Sequence, residues 1–322
     1  MTGGTPTPGG LRWRGRTLLA AAAAVLVVLT VAMAARRGGS DLFGALPSRS
    51  VSTHPPTPPT PAPRPSSSAQ TSAAAVLKAA AAARIAALIG SVPDRAAFVA
   101  ALNTSTGARY LAGSTAGNWT ASCYKLVLVE TLLLQHQQQG TSITGGEVAD
   151  ATAAIEHSDN VAGYQLWLDV GRNDGMQRAM PTLGLTHAVA EGSDPTFTKL
   201  TGPDTLALLN NLVDVKSPLD AESRTFTLGL MRAVEADQRW GVGAAADRGT
   251  TFANKNGWLS IDNGNGPGES DGGRWVVNSL GVVTIAGRQV LLAVFSEHQP
   301  SFAAGVTLVE SLAKAVWPLV AS

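Results

Sequence analysis

A chain of 322 residues, 45% hydrophobic and 15% charged, can bury at least one full core, which excludes disorder throughout. Lysine and arginine total 24 against 23 aspartate and glutamate, and no long basic run follows residue 37, so the charge balance argues against a nucleic-acid partner. The single cysteine, Cys123, excludes an intramolecular disulfide framework, and five scattered histidines lack the spacing of a structural zinc site; no metal or cofactor is expected.

Residues 1–16 read as a short cytoplasmic tail carrying Arg12, Arg14 and Arg16. From Leu18 to Ala35 the chain is uncharged and apolar, long enough to span a bilayer, so residues 17–35 are expected to be a transmembrane anchor with everything after residue 37 exported. A cleaved signal segment is the alternative, because Ala32-Met33-Ala34 supplies an A-x-A cleavage pattern. Both readings export the remainder. Residues 36–72 contain THPPTPPTPAPRPSSS, whose prolines remove backbone donors and fix φ; this is an extended, solvated linker.

Residues 73–322 fit one globular domain with no internal repeat, expected to be a monomer. An Ala-rich helix over Ala73 to Ile89 comes first, followed by AFVAALNTSTGARYLAG, where turn chemistry between two apolar runs predicts a pair of strands. The middle reads as helices over Ser122–Gln139, Glu147–Glu156, Val161–Leu168, Pro203–Val215 and Ser223–Ala236, with Gly140 as a stop and Thr201 as a start. Strands return at TFANKNGWLSI, WVVNSLGVVTIAG and QVLLAVFS, and a helix over Phe302–Val316 closes the chain. Strands at both ends of a helical middle predict an α+β fold with one antiparallel sheet built from both ends of the domain.

Three short patterns carry chemistry. In SCYK, Ser122 and Lys125 are one helical turn apart on one face, so a hydroxyl meets an amine that burial can deprotonate near neutrality, with helix N-terminal N–H groups at hand for a developing oxyanion. A second match, Ser311 to Lys314, reads as a polar stripe on the last helix. Ser158-Asp159-Asn160 falls between two helices and reads alone as capping. Lys255-Asn256-Gly257-Trp258 puts a cation on a strand beside a glycine that permits close backbone approach.

Taken in order, S-x-x-K, S-D-N and K-x-G resemble the signature set of class A β-lactamases and penicillin-binding proteins, and the resemblance extends over nearly all of residues 73–322. It implies the β-lactamase/transpeptidase-like fold and an exported serine hydrolase whose substrate is a β-lactam or a cell-wall peptide amide. Ser122 is then the acylated nucleophile, Lys125 its base, and Ser158 the proton carrier to the leaving nitrogen. Asn160 would hold the substrate amide, Lys255 would supply positive charge to the substrate carboxylate and the Ser158 hydroxyl, the N–H groups of Ser122 and Trp258 would form the oxyanion hole, and Gly257 would be a substrate-binding position. Arg274 is similar to a second carboxylate-binding arginine, with a surface strand residue as the alternative reading.

The chain departs from the family pattern in three places. Asn256 replaces a hydroxyl that normally helps hold a substrate carboxylate. The interval from Ser122 to Ser158 is short, implying a trimmed helical half. A deacylating glutamate has no clear counterpart; Glu191 is the candidate base, with a solvated loop residue as its alternative. The competing functions are therefore a D-Ala-D-Ala peptidase-like enzyme that deacylates slowly, and a degenerate domain that only binds cell-wall peptide or a partner. Elsewhere, His157 reads as a helix-end cation and Cys123 as an inert packed thiol. DNGNGPGESDGG reads as a hairpin loop, and the tryptophans at 119, 258 and 275 as cleft or core aromatics.

Overall fold

The structure is a computed structural model and describes residues 67–262, 266–267 and 274–321. The apolar stretch 17–35, nearly all of the proline-rich linker and most of the loop 263–273 lie outside the described residues. In chain order the elements are α1 (Ser67–Gly90), β1 (Ala97–Asn103), β2 (Arg109–Gly113), β3 (Asn118–Trp119), α2 (Tyr124–Gln139), α3 (Gly145–Glu156), α4 (Asn160–Asp169), α5 (Arg172–Ala179), β4 (Lys199–Leu200), α6 (Gly202–Asn211), α7 (Ala221–Arg232), β5 (Ala253–Asp262), β6 (Gly266–Pro267), β7 (Trp275–Ile285), β8 (Arg288–Gln299), α8 (Phe302–Ala315) and α9 (Trp317–Val320).

The strands form a sheet of order β2-β1-β8-β7-β5-β6, antiparallel at every pairing, so both ends of the domain do build one sheet around a helical middle. β1 reads AFVAALN and is buried on both faces, as a strand inside a covered sheet must be. Its residues alternate between two cores. Phe98 and Ala100 join Leu280, Ala293 and Phe295 against the helices, while Val99 and Ala101 join Val277, Leu292 and Val294 against α1 and α8. Helix α8 sits so close to the sheet that a Cβ at Gly305 would lie 2.3 Å from Val277 Cγ2.

Helix α2 is buried without interruption from Tyr124 to Leu134, including Lys125, Glu130 and Thr131. A helix apolar nearly all round is a core helix, and α3, α4, α5 and α7 pack around this one. Gly140 ends it in the left-handed conformation, φ 67°, with N–H groups returned to His136 and Gln137 carbonyls. Thr201 opens α6 through a reciprocal capping box with Asp204.

Several boundaries move. A 3-10 turn over Ala121–Cys123 precedes α2, so the helix expected from Ser122 begins at Tyr124. α6 ends at Asn211, short of Val215, and α7 runs Ala221–Arg232 where Ser223–Ala236 was expected. Asp220 caps α7 by accepting from the Ser223 N–H, and the chain after Arg232 turns away so that the Glu235 N–H reaches the Glu156 carbonyl. α5 was not expected; RNDGMQRA buries only Gly175, Met176 and Ala179, too few apolar positions to set a period.

Candidate active site

Ser122 lies in the 3-10 turn between β3 and α2. Two contacts fix the turn: the Thr120 N–H donates to Thr198 O at 2.8 Å, and the Cys123 N–H to Thr120 O at 3.1 Å. Ala121 takes a left-handed φ of 45°, a conformation that costs a non-glycine residue about 1–3 kcal/mol and persists only where surrounding structure enforces it. Strand β5 supplies that enforcement. A Cβ at Gly257 would meet Thr120 O at 2.5 Å, Cys123 N at 2.8 Å and Ser122 N at 2.9 Å, so only glycine lets β5 lie against the backbone that carries Ser122. Cys123 Sγ is 3.6 Å from Lys255 O and wholly buried; burial pushes its thiol up to about 12, which leaves it protonated and inert.

Lys125 is wholly buried beneath this turn. Its Nζ donates to Ser122 Oγ at 3.2 Å, to Asn160 Oδ1 at 2.8 Å and to the Ser158 carbonyl at 2.5 Å. Gly163 on α4 makes the room, since a Cβ there would lie 2.7 Å from Lys125 Cε. Burial first, and the nearby Lys255 charge second, lower Lys125 to about 7. An amine that is substantially neutral at physiological pH and touches a hydroxyl can take its proton.

Ser158 and Asn160 reach the same point from the α3–α4 junction. His157 closes α3 and pairs with Glu235 through Nδ1 at 2.7 Å; Asp159 caps α4 by accepting from the Ala162 N–H at 2.8 Å. Between them Ser158 is forced to φ 57°. That reversal turns its carbonyl to Lys125 and its hydroxyl to Lys255, whose Nζ donates to Ser158 Oγ at 2.9 Å. Lys255 also donates to Asn256 O at 2.9 Å and is wholly buried, which lowers it to about 8. Lys125 Nζ also lies 3.5 Å from Ser158 Oγ, so the side-chain groups of Ser122, Lys125, Ser158 and Lys255 follow one another within 3.5 Å, as a path for a proton requires.

A cleft of about 470 Å³ opens onto this chain and is lined by Ser122, Ser158, Asn160 and Trp258, with Tyr124, Tyr164, Asp194 and Leu259. That volume suits a small molecule or a short peptide segment. Trp258 is braced by Trp240 and Phe302 at ring separations of 6.0 and 5.9 Å. Trp119 instead meets Phe197, and Trp275 meets Phe302.

Two expected site residues, Arg274 and Glu191, are placed elsewhere, and Asn256, which stands where the family has a hydroxyl, is turned away from the cleft. Asn256 is buried and turned to the loop before β5, with Nδ2 donating to Gln238 O at 2.8 Å and Trp240 O at 3.2 Å; it serves as a brace and does not line the cleft. Arg274 is exposed at the start of β7, outside that lining. Glu191 is exposed and also outside it. The carboxylate brought to the cleft is Asp194, whose Oδ1 accepts from the Thr196 N–H at 2.9 Å. Its sequence signal, Asp-Pro-Thr, reads as ordinary capping. Burial, with the Asp194 charge as a second cause, drives the Tyr124 hydroxyl well above its usual range, so Tyr124 is a neutral wall of the site. Among the described residues no group of three His, Cys, Asp or Glu side chains is gathered to hold a metal.

Residues 127–320, more than half the chain, match the family model described as the Beta-lactamase enzyme family; the match includes Ser158, Asn160 and Lys255 and begins just after Lys125. A variant of the TLA-1 extended-spectrum beta-lactamase aligns with TM-score 0.64 at 17% identity, covering 78% of this chain and all of that one. A class A beta-lactamase representative from Bacteroides cellulosilyticus DSM 14838 aligns with TM-score 0.61 at 16% identity, covering 76% and 99%. PBP-A aligns with TM-score 0.56 at 18% identity, covering 69% and 88%. At these identities the solved structures speak for the fold. No curated protein matches the sequence.

Proposed function

Since the chain belongs to the beta-lactamase enzyme family, we propose that it is an exported serine hydrolase that forms an acyl-enzyme on Ser122 from a β-lactam or a related cell-wall peptide amide. One observation carries the reading: the buried Lys125 Nζ touches Ser122 Oγ at 3.2 Å and is lowered to about 7. In the proposed sequence, Lys125 takes the Ser122 proton as Oγ attacks the carbonyl carbon. The oxyanion is received by backbone N–H groups, with that of Ser122 held against Gly257 and that of Trp258 as its partner. Collapse expels the leaving nitrogen, which receives a proton from Ser158. Lys255, hydrogen-bonded to Ser158 Oγ, supports that transfer, and Asn160 orients the substrate amide. Residues 17–35 serve as the membrane anchor or export signal and 36–72 as the spacer that carries the domain away from the bilayer surface.

A second reading concerns the step after acylation. Glu191 is exposed outside the cleft lining, and a carboxylate so placed is poorly sited to activate a deacylating water. With Glu191 so placed, Asp194 is the one carboxylate among the described lining residues left to activate water; without its help the acyl-enzyme forms and persists, as in a peptidase-like penicillin-binding enzyme. Turnover of a chromogenic cephalosporin by the full chain separates the two. Many turnovers per enzyme indicate hydrolysis with efficient deacylation, and one stoichiometric burst indicates a stable acyl-enzyme. Absence of any burst in both the cephalosporin and a D-Ala-D-Ala thioester overturns the serine-hydrolase proposal itself.

A further inference from the structure

The lining of the cleft differs in its charged groups from the residues buried behind it. Both lysines of the floor are wholly buried and committed, Lys125 to Ser122, Ser158 and Asn160, and Lys255 to Ser158 and the Asn256 carbonyl. Neither lines the opening; among the described residues that do, Asp194 is the one with a formal charge. The positions expected to hold a substrate carboxylate do not serve it here. Asn256 has both its contacts on backbone carbonyls, and Arg274 is exposed beyond the lining.

Asp194 is held firmly. It begins the 3-10 turn Pro195–Phe197, where Pro195 fixes φ and the Thr198 N–H returns to Pro195 O at 3.0 Å. Phe197 is anchored edge-on to Trp119 at 5.3 Å. Oδ1 is used by the Thr196 N–H, which leaves Oδ2 for a ligand. Three aromatic side chains, Tyr124, Tyr164 and Trp258, line the same cleft, and Tyr164 on α4 stays 52% exposed against the apolar preference of its ring. A carboxylate with aromatic faces in a partly dehydrated cleft is the combination that binds an organic ammonium, through charge-assisted hydrogen bonds and cation–π contact.

We infer that Asp194, together with Tyr124 and Tyr164, is a specificity-determining site for a primary ammonium group on the substrate, so that the preferred acyl donors are peptide amides bearing a free amine. The inference rests on the proposed use of this cleft as the substrate site. It concerns which amide is chosen, whereas the proposed function concerns what Ser122 does to it.

The test uses two peptides that differ in one group, a D-alanyl-D-alanine peptide with a free lysine ε-amine and its ε-acetyl form. Equilibrium binding to the full chain carrying Ser122→Ala is measured by calorimetry, so no acylation is needed. The amine form is expected to bind about tenfold more tightly at pH 7, a factor typical of one such contact. Adding Asp194→Asn should erase the preference, and adding Asp194→Lys should reverse it, while Tyr164→Ala should reduce it. Equal binding of the two peptides, a preference that survives Asp194→Asn, or no binding of either overturns the inference. Failure of the wild-type chain to acylate Ser122, with the binding preference intact, counts against the proposed chemistry and leaves the ammonium site standing.

Discussion

The chain spells Ser-x-x-Lys twice, at Ser122–Lys125 and at Ser311–Lys314, and the two copies share their spacing and little else. Lys314 lies on α8 with its side chain 55% exposed, and its Nζ is 3.3 Å from Glu310 one turn back, a surface pair worth about 0.3–0.5 kcal/mol. Lys125 has no solvent contact; its partners are four oxygens on Ser122, Ser158 and Asn160, and the cost of burying its charge lowers it to about 7. Spacing therefore sets only the distance between hydroxyl and amine. What turns that pair into a reactive one is burial, a second lysine nearby, and a strand pressed against the serine backbone.

This contrast can be broken experimentally. The largest effect is expected from Ser122→Ala, which should abolish covalent labelling by a fluorescent penicillin in a gel assay while stability stays within about 1 kcal/mol by denaturant unfolding, because a hydroxyl-to-methyl change at the edge of a site is mild. Lys125→Ala removes the proposed base and should slow acylation by about 10²–10⁴ in stopped-flow measurements, while Lys314→Ala leaves the rate within a factor of about two. If the two lysine variants behave alike, burial is not what distinguishes the motifs.

Next in size is Gly257→Ala. The new methyl would lie 2.5 Å from Thr120 O, so β5 and the turn must separate. A displacement of about 1 Å at the reacting centre costs on the order of 10²-fold; acylation should fall by that much, with the adduct still mapping to Ser122. A milder test is pH. Lys125 acts as a base when neutral, so acylation should rise as pH passes about 7, and Lys255 acts through its charge, so the rate should decline as pH passes about 8. The bell should be narrow, and Lys125→Ala should remove its acidic limb. The smallest effect is Lys314→Ala on stability, expected to stay within about 0.5 kcal/mol.

The fold was legible where sequence pattern and burial agree. Apolar runs with turn chemistry between them gave β1 and β2, later apolar runs gave β5, β7 and β8, and the caps Thr201 and Gly140 marked helix ends that the structure keeps. The three motifs named Ser122, Lys125, Ser158, Asn160 and Lys255, and the fold brings all five together although Ser158 and Lys255 are distant in sequence. Contributions from backbone shape stayed hidden. The left-handed turns at Ala121 and Ser158 fall on residues that rarely adopt them, and Gly163 looks like an ordinary weak point in a helix until Lys125 is seen lying across it. Asp194 was masked by its role as a cap. Glu191, three residues earlier, drew attention by residue type, yet the loop turns it outward. Which side of a loop faces a cleft is a tertiary property that local sequence does not encode.

The most direct measurement is an intact-mass time course of the full chain mixed with a penicillin at pH 7.5, followed by peptide mapping of any adduct. The geometry predicts a single adduct on Ser122 in the wild-type protein, formed far more slowly in Lys125→Ala. An adduct on any other residue, or equal rates in the two proteins, would contradict the assignment of Ser122 and Lys125 as the reacting pair.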